Sequence, residues 1–223
     1  MRYVLSLFFG LLVGTLAAGA LLYLNPLTRS QDTAAQDSDW ALSYSLNADS
    51  IWLSSHNQRV DLPLEPGNVP LLNERGIRGT IVTALPMQNA AGNGAAAASR
   101  ISVPSSGTEF IRAGVLVEDY WLISVPGEGS VFVHSLNNQW PLLRDTVVWV
   151  DWLQREWQGP DQYAPTKGPD RDGARVLGLS GNFAGMSGHA AERLSLDNYD
   201  GDLAQLSGEL LLQVSATPLT NGG

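Results

Sequence analysis

Hydrophobic and polar residues alternate along much of this chain with the period of two that is typical of β-strands. The pattern begins at Trp40, because Trp40, Leu42, Tyr44 and Leu46 fall on one side of an extended segment and small residues fall on the other. A strand with one buried face produces such alternation. We therefore expect the folded domain to begin with a strand near Trp40.

Similar runs recur to the end of the chain, separated by turns that contain Gly, Pro, Asn or Asp. They read SIWLSS, RGTIVTAL, FIRAGVLVE, YWLISV, SVFVHSL, TVVWVDWL, ARVLGLSG and GELLLQVSA. Many short strands without a long amphipathic helix predict an all-β domain over 39–216, built as an antiparallel sandwich or barrel. Residues 86–100 are mostly Ala, Gly and Asn, so we expect a mobile hairpin loop there. Residues 217–223 are predicted to be a disordered tail.

The N-terminal segment has a different pattern, a run of 22 residues from Tyr3 to Leu24 without a charge. A helix of that length spans roughly 30 Å of hydrocarbon. Because apolar residues continue where a signal peptidase site would lie, the sequence favours an uncleaved transmembrane signal anchor at 3–24 over a cleaved signal peptide. Residues 1–2 would then be a cytoplasmic stub, and the polar residues 25–38 a flexible stalk.

The charges that flank this segment predict its orientation. Arg2 precedes it, whereas Arg29 after it is followed by Asp32, Asp37 and Asp39. The positive-inside rule then places the N-terminus in the cytoplasm. We expect a single-pass protein of a bacterial inner membrane, with its C-terminal domain in the periplasm.

Small residues recur at every fourth position of the predicted membrane helix, at Gly10, Gly14 and Ala18. Such spacing allows two helices to approach closely in lipid. It is also common in membrane helices that have no partner. We treat these three residues as a candidate helix-packing face.

Composition excludes several function classes. The chain has no cysteine, which rules out disulfides and thiolate chemistry. Its formal net charge of −9 makes nucleic-acid binding improbable, because phosphate contacts require clustered Lys and Arg. No cofactor or metal is expected, since the three histidines show no ligand spacing and the aspartates near 197–202 do not match a calcium loop.

Three of the seven tryptophans lie in the stretch DTVVWVDWLQREWQG, residues 145–159. Its β-branched and aromatic residues predict one long strand with Trp149 and Trp152 in the core. Trp157 precedes a Pro- and Gly-rich loop and is expected at the surface. The candidate binding surface that follows consists of Trp157, Glu156, Asp161 and Tyr163. Exposed indoles beside carboxyl groups suit a glycan partner as well as a protein.

Catalytic patterns are weak in this sequence. GLSGN and GMSGH resemble a nucleophile elbow, but both lack its last glycine and neither lies between a strand and a helix. Acid pairs for glycoside hydrolysis could come from Glu118, Asp119, Asp151 or Glu156, and the sequence does not show which of them face each other. The sequence therefore predicts a protein that is not an enzyme.

By elimination, we expect a non-catalytic bitopic protein whose periplasmic β-domain is an accessory or interaction subunit of a cell-envelope assembly. Its partner would be another membrane or envelope protein, or a second copy bound through the membrane helix. Two alternatives stay open, a glycan- or lipid-binding β-module and a hydrolase that uses carboxylates.

Overall fold

The computed structural model describes residues 2–24, 40–46, 51–54, 59–60, 80–108, 114–167, 174–199 and 206–216. The predicted stalk and tail lie outside these residues. Helix α1 spans Arg2–Leu24, and its side chains are described at Ser6 and over 8–20, where all are exposed. Taken over the described residues, no helix is both long enough and apolar enough to cross a membrane.

Twelve strands follow α1 in the described part of the chain. They are β1 Trp40–Ser45, β2 Ile51–Ser54, β3 Arg59–Val60, β4 Ile81–Gln88, β5 Gly94–Pro104, β6 Leu116–Val125, β7 Gly129–Asn138, β8 Gln162–Tyr163, β9 Thr166–Lys167, β10 Ala174–Gly181, β11 Met186–Ser195 and β12 Ser207–Ala216. Between β7 and β8 the chain forms the short helix α2, Trp140–Leu143, and a π-helix, Arg144–Trp152.

Eight of these strands form a closed antiparallel barrel in the order β1-β12-β11-β10-β7-β6-β5-β4, with β1 pairing back to β4. The all-β prediction is confirmed, and of the two predicted architectures the barrel is the one that forms. Strands β2 and β3 extend the sheet beyond β4. Strand β8 pairs with the end of β11 and β9 with the end of β7.

The predicted alternation places one face of each strand inside the barrel. On β6, Trp121 and Ile123 are fully buried, and on β7 the same is true of Val131 and Val133. Leu42 and Tyr44 of β1 are buried as their pattern predicts. Burial of these side chains removes apolar surface from water and is the main source of stability for such a sheet.

The two ends of the barrel differ. Three tight turns, 89–93, 126–128 and 182–185, lie at one end, which we call the hairpin end. The chain enters β1 at this end, where the Trp40 ring contacts the edge of Phe183 with 5.2 Å between centroids. Strand β7 runs to the opposite end and leads into α2 and the π-helix, so we call that the helical end.

Two segments differ from their predicted structures. Residues 144–152 form a π-helix and not a strand, because Pro141 begins a helix in its first turn and Thr146 Oγ1 bonds to the carbonyl of Leu142 at 2.8 Å. Most of 86–100, predicted to be a loop, belongs to the paired strands β4 and β5, and only 89–93 form the turn. Alanine side chains bury little surface, but their backbones pair as well as any others.

Candidate functional site

A buried ionic cluster lies on the inner face of the barrel. Arg100 of β5 binds Asp119 of β6 through two parallel hydrogen bonds, Nε to Oδ1 at 2.9 Å and Nη2 to Oδ2 at 2.7 Å. Its Nη1 donates to Oε1 of Glu192 on β11 at 3.1 Å. The guanidinium carbon lies 4.8 Å from the centre of the Trp121 ring. One arginine therefore joins two carboxyl groups and an aromatic face in the interior.

Neutral side chains complete the cluster. The Asn137 amide on β7 donates to Oδ2 of Asp119 at 2.5 Å and to Oε2 of Glu192 at 2.7 Å. The Tyr44 hydroxyl on β1 donates to Glu192, and the Ser102 hydroxyl donates to Asp119. Five barrel strands are connected through these bonds, including β1 and β11, which are not neighbours in the sheet.

The electrostatics of the cluster favour a retained proton. It contains one guanidinium and two carboxyl groups, all buried. Burial raises the pKa of Glu192, Arg100 opposes this rise, and the charge of Asp119 adds to it. Burial and the Glu192 carboxylate also raise the pKa of Tyr44 well above its ordinary value. Charges in a low-dielectric interior are stable only when paired, so the second carboxyl group tends to keep its proton.

Access to solvent limits what this cluster can do. Arg100, Asp119, Asn137 and Glu192 are each at most 7% exposed. A general acid or base has to reach the proton that it transfers. A buried network of this kind specifies which strands meet, and it gives no direct support to the predicted hydrolase alternative.

A second site lies at the helical end, where side chains from several segments hold the π-helix. Asp145 is buried. Its carboxylate accepts a hydrogen bond from Arg144 Nε at 2.6 Å and another from the Tyr163 hydroxyl at 3.3 Å. At the other end of the helix, the Tyr199 hydroxyl donates to Oδ2 of Asp151 at 3.1 Å. The π-helix is therefore fixed to the barrel at both its beginning and its end.

The final turn of the π-helix presents its apolar side chains to solvent. Trp152 is 74% exposed and Leu153 is 53% exposed. Gln154 follows the C-cap residue of the helix with a φ of 50°, and its side-chain amide donates to the Asp151 carbonyl at 2.5 Å. Few non-glycine residues adopt a positive φ, and such strain recurs at functional sites. We call residues 151–156 the tip.

The predicted surface residues do not all lie at the surface. Glu156 and Asp161 are exposed, but Trp157 is half-buried against the core. The prediction was wrong for Tyr163, which is only 6% exposed, because its ring fills the space under the π-helix and its hydroxyl bonds to Asp145. Burial and the nearby Asp145 charge raise its pKa well above the usual range.

The three tryptophans of residues 145–159 differ in their exposure to solvent. Trp152, predicted to be in the core, is the exposed one, because a helical turn points it away from the barrel. Trp149 is half-buried, with the guanidinium carbon of Arg155 6.0 Å from its ring centre. Of the tryptophans with described side chains, Trp152 alone is exposed.

The third feature is the outer face of β5, β6, β7 and β10, which we call the outer wall. Leu122 of β6 lies directly opposite Phe132 of β7, which in turn lies opposite Leu177 of β10. Leu122 is 44% exposed and Leu177 is 51% exposed. In the next row the Tyr120 and His134 rings stack, with 4.8 Å between centroids. The outer wall is an apolar and aromatic surface that faces water.

The remaining candidates form no site. Gly10 and Gly14 of α1 are exposed, and a Cβ atom at either position would meet nothing within 4 Å, so the packing face stays a prediction. Among the described residues, no group of three or more His, Asp or Glu side chains could hold a metal ion. Ser180, in one elbow-like sequence, shares a 2.7 Å hydrogen bond with the hydroxyl of Ser130.

Neither exposed indoles nor buried ion clusters identify a family, because both occur on many folds. The tip, the buried cluster and the outer wall are the features of this chain that bear on its function. No protein-family model matches this chain, and no curated protein is significantly similar to it.

Proposed function

We propose that this protein is a non-catalytic interaction subunit of a bacterial cell envelope, tethered to the inner membrane by residues 3–24 with its β-barrel in the periplasm. The uncharged run from Tyr3 to Leu24 and the flanking charges support the anchor and its orientation. The exposed tip of the π-helix is the observation that supports the binding role. Tethering raises the local concentration of the barrel near other membrane proteins.

The tip has the properties of a preorganised anchor. Hot spots of protein interfaces are enriched in tryptophan, which buries a large area and loses little rotamer entropy. Trp152 extends from a helix that Asp145 and Tyr199 fix to the barrel. A partner therefore does not have to order the segment that it binds, and this raises affinity.

The charges around the tip indicate the chemistry of the partner. Asp151 and Glu156 are exposed within the tip, Asp161 is exposed farther along the chain, and Arg155 is the basic residue within the tip. A complementary surface would be an apolar pocket with a rim of Lys or Arg. Such complementarity mainly affects association rate and specificity, while the buried indole contributes most of the affinity.

The two alternatives have less support. Glycan binding needs coplanar exposed rings, and Trp152 is the only exposed indole among the described tryptophans. A lipid ligand inside the barrel would meet the charged groups of Arg100 and Asp119. The hydrolase alternative needs Asp151 or Glu156 to face a second acid, and Asp151 accepts a hydrogen bond from Tyr199. A protein partner fits the tip best.

Site-specific photocrosslinking of the full chain in its own membrane tests this proposal. A benzophenone amino acid replaces Trp152 in one variant and Asn182, an exposed residue at the hairpin end, in a matched control. We expect a crosslinked adduct of one defined mass from position 152 and none from position 182. Glu156→Arg with Asp161→Arg in the same chain should reduce the yield at position 152, because both changes oppose a basic rim.

The outcomes separate the candidates. Adducts of defined mass that digest with protease support a protein partner. Adducts at position 152 that digest only with glycan hydrolases would replace it with the glycan alternative. Equal labelling at positions 152 and 182, or an unchanged yield in the charge-reversed variant, would contradict the proposed role of the tip.

A further inference from the structure

The outer wall is nearly free of charge, although the chain carries a net charge of −9. Strand β4 has no charged residue, and the one charged residue of β5, Arg100, points into the barrel. Outward-facing charges on β6, β7 and β10 are limited to Glu118 and Arg175. Both lie toward the helical end, so the wall between them and the hairpin turns is uncharged.

Large apolar side chains form the middle of this uncharged area, and a row of serines, Ser124, Ser130 and Ser180, lies between them and the hairpin turns. Besides Leu122 and Leu177, Ile101 is 42% exposed and Leu179 is 52% exposed. Phe132 lies at the centre, directly between Leu122 and Leu177, and its ring is 6.3 Å from that of Tyr120. Soluble proteins seldom leave contiguous apolar patches of this kind in water unless something covers them.

The charge distribution favours a second copy of this chain as the partner of the outer wall. Exposed acidic residues lie in the connections and at the tip, for example Asp151, Glu156, Asp161 and Asp197. Two copies that approach through those surfaces repel each other. Between Glu118, Arg175 and the hairpin turns the outer wall offers no like charge to a second copy, and an uncharged apolar surface is complementary to itself. A surface that contacts its own copy across a two-fold axis has to be self-complementary in this way.

We infer that two copies of this chain associate through their outer walls, face to face, with Phe132 and Leu122 near the two-fold axis. This contact is separate from the tip and does not depend on the proposed partner. Four strands about 4.8 Å apart give a wall roughly 15 Å wide, and two such sheets pack about 10 Å apart. Standard protein interfaces bury about 800 Å² per partner and obligate homodimers bury more, so a wall of this width fits a reversible dimer, which the membrane tether of the proposed function would promote.

Sedimentation of the full chain in detergent tests the dimer. The membrane helix is first removed as a source of association by Gly10→Ile with Gly14→Ile, and this background serves as the reference. Leu122→Glu with Leu177→Glu should raise the dissociation constant by at least about tenfold, because four carboxylates would meet at one apolar interface. Leu153→Glu introduces the same change at an equally exposed leucine of the tip and should leave the constant unaltered.

Cysteine crosslinking gives an independent measurement that needs no destabilising change. The chain has no cysteine, so a single Leu122→Cys variant reacts at one position only. In membranes, a short bis-maleimide should convert this variant to a covalent dimer, whereas Leu153→Cys should remain monomeric.

Three results would overturn the inference. The reference chain could sediment as a monomer over the whole accessible concentration range. The dimer could persist unchanged in the Leu122→Glu, Leu177→Glu variant. Cysteines at 122 and 153 could crosslink with the same low yield. None of these results bears on the crosslinking from position 152 to a different protein.

Discussion

Arg100 and Asp119 form a two-pronged ion pair inside the barrel, with Nε–Oδ1 at 2.9 Å and Nη2–Oδ2 at 2.7 Å. The two residues lie on adjacent strands, and neither side chain is more than 8% exposed. Glu192 approaches the same guanidinium from β11. The arginine is the one cation among these groups, and it binds both carboxyl groups.

Removing this arginine should be costly. Arg100→Leu leaves Asp119 and Glu192 buried without a cation, and breaking a buried pair costs about 3–5 kcal/mol. Arg100→Lys keeps the charge but loses the two parallel hydrogen bonds. Its free energy of unfolding should therefore lie between those of the wild type and Arg100→Leu. Chemical denaturation followed by tryptophan emission measures each free energy of unfolding.

A surface ion pair on β11 provides the control for this prediction. Arg193 lies 4.0 Å from Glu209, and both side chains are partly exposed. Arg193→Leu should therefore cost no more than about 1 kcal/mol. If Arg100→Leu were as mild as Arg193→Leu, the buried pair would not contribute as the structure indicates.

Stability should fall as pH rises, because the pKa of Glu192 is raised above its ordinary value of 4.5 by burial and by Asp119. A group with a higher pKa in the folded state binds its proton more tightly there than in the unfolded chain. Its contribution is full below the unfolded pKa and is lost as pH rises through the folded pKa. Arg100, Asp119 and Tyr44 are the other ionisable groups facing this carboxyl group.

Glu192→Gln isolates this effect. The amide cannot ionise, so the slope of unfolding free energy against pH should be shallower in the variant than in the wild type above pH 4.5. The variant also loses a bond from Asn137, which lowers its stability at every pH and leaves the slope unaffected. Urea titrations across a pH series give both slopes, and parallel slopes would show that Glu192 does not hold the proton.

The sequence predicted the strands better than it predicted the cluster. Alternation identified the buried face of β1, including Tyr44, because one strand contains the whole signal. Arg100 is separated from Asp119 by 19 residues and from Glu192 by 92, so their contact depends on the strand order. No local pattern contains that order. The alanines around Arg100 also suggested a loop, so the sequence did not indicate that the Arg100 side chain points into the barrel.

In the Trp-rich segment the prediction failed for a different reason, because tertiary contacts overrode a strong local preference for a strand. Val147, Val148 and Trp149 favour a strand, yet Pro141 begins a helix and burial of Asp145 and Thr146 continues it. Tertiary contacts of this kind routinely override propensity. A signal was available in Pro141, which suits the first turn of a helix and interrupts a sheet.

Gly208 of β12 should tolerate no side chain, because Tyr44 of the paired strand lies across it. A Cβ atom at Gly208 would overlap the Tyr44 ring and its hydroxyl. Overpacking of this kind costs about 1–3 kcal/mol, and here it would also displace the hydroxyl from Glu192. We expect Gly208→Ala to lower the free energy of unfolding by that amount.

Two variants check the cause of this loss. At Gly94 a Cβ atom meets nothing within 4 Å, so Gly94→Ala should change stability by less than about 0.5 kcal/mol. In a Tyr44→Leu background, Gly208→Ala should cost much less than in the wild type, since the overlapping ring is gone. An unchanged cost in that background would assign the loss to the β12 backbone instead.

Among the tryptophans with described side chains, Trp152 should account for most of the emission that a quencher in solution can reach. Its side chain is 74% exposed, whereas Trp121 is fully buried beneath Arg100. Acrylamide is the suitable quencher, because acidic groups near the tip would repel iodide.

Trp152→Phe should reduce the quenchable fraction and change the free energy of unfolding by less than about 0.5 kcal/mol, as expected for an exposed side chain. Trp121→Phe removes emission that the quencher cannot reach, so it should not lower the quenchable fraction. It should destabilise the barrel, because the smaller phenyl ring leaves a cavity beneath Arg100. If Trp152→Phe left quenching unchanged, the indole would be covered in solution, and the tip could not be the open anchor that a partner requires.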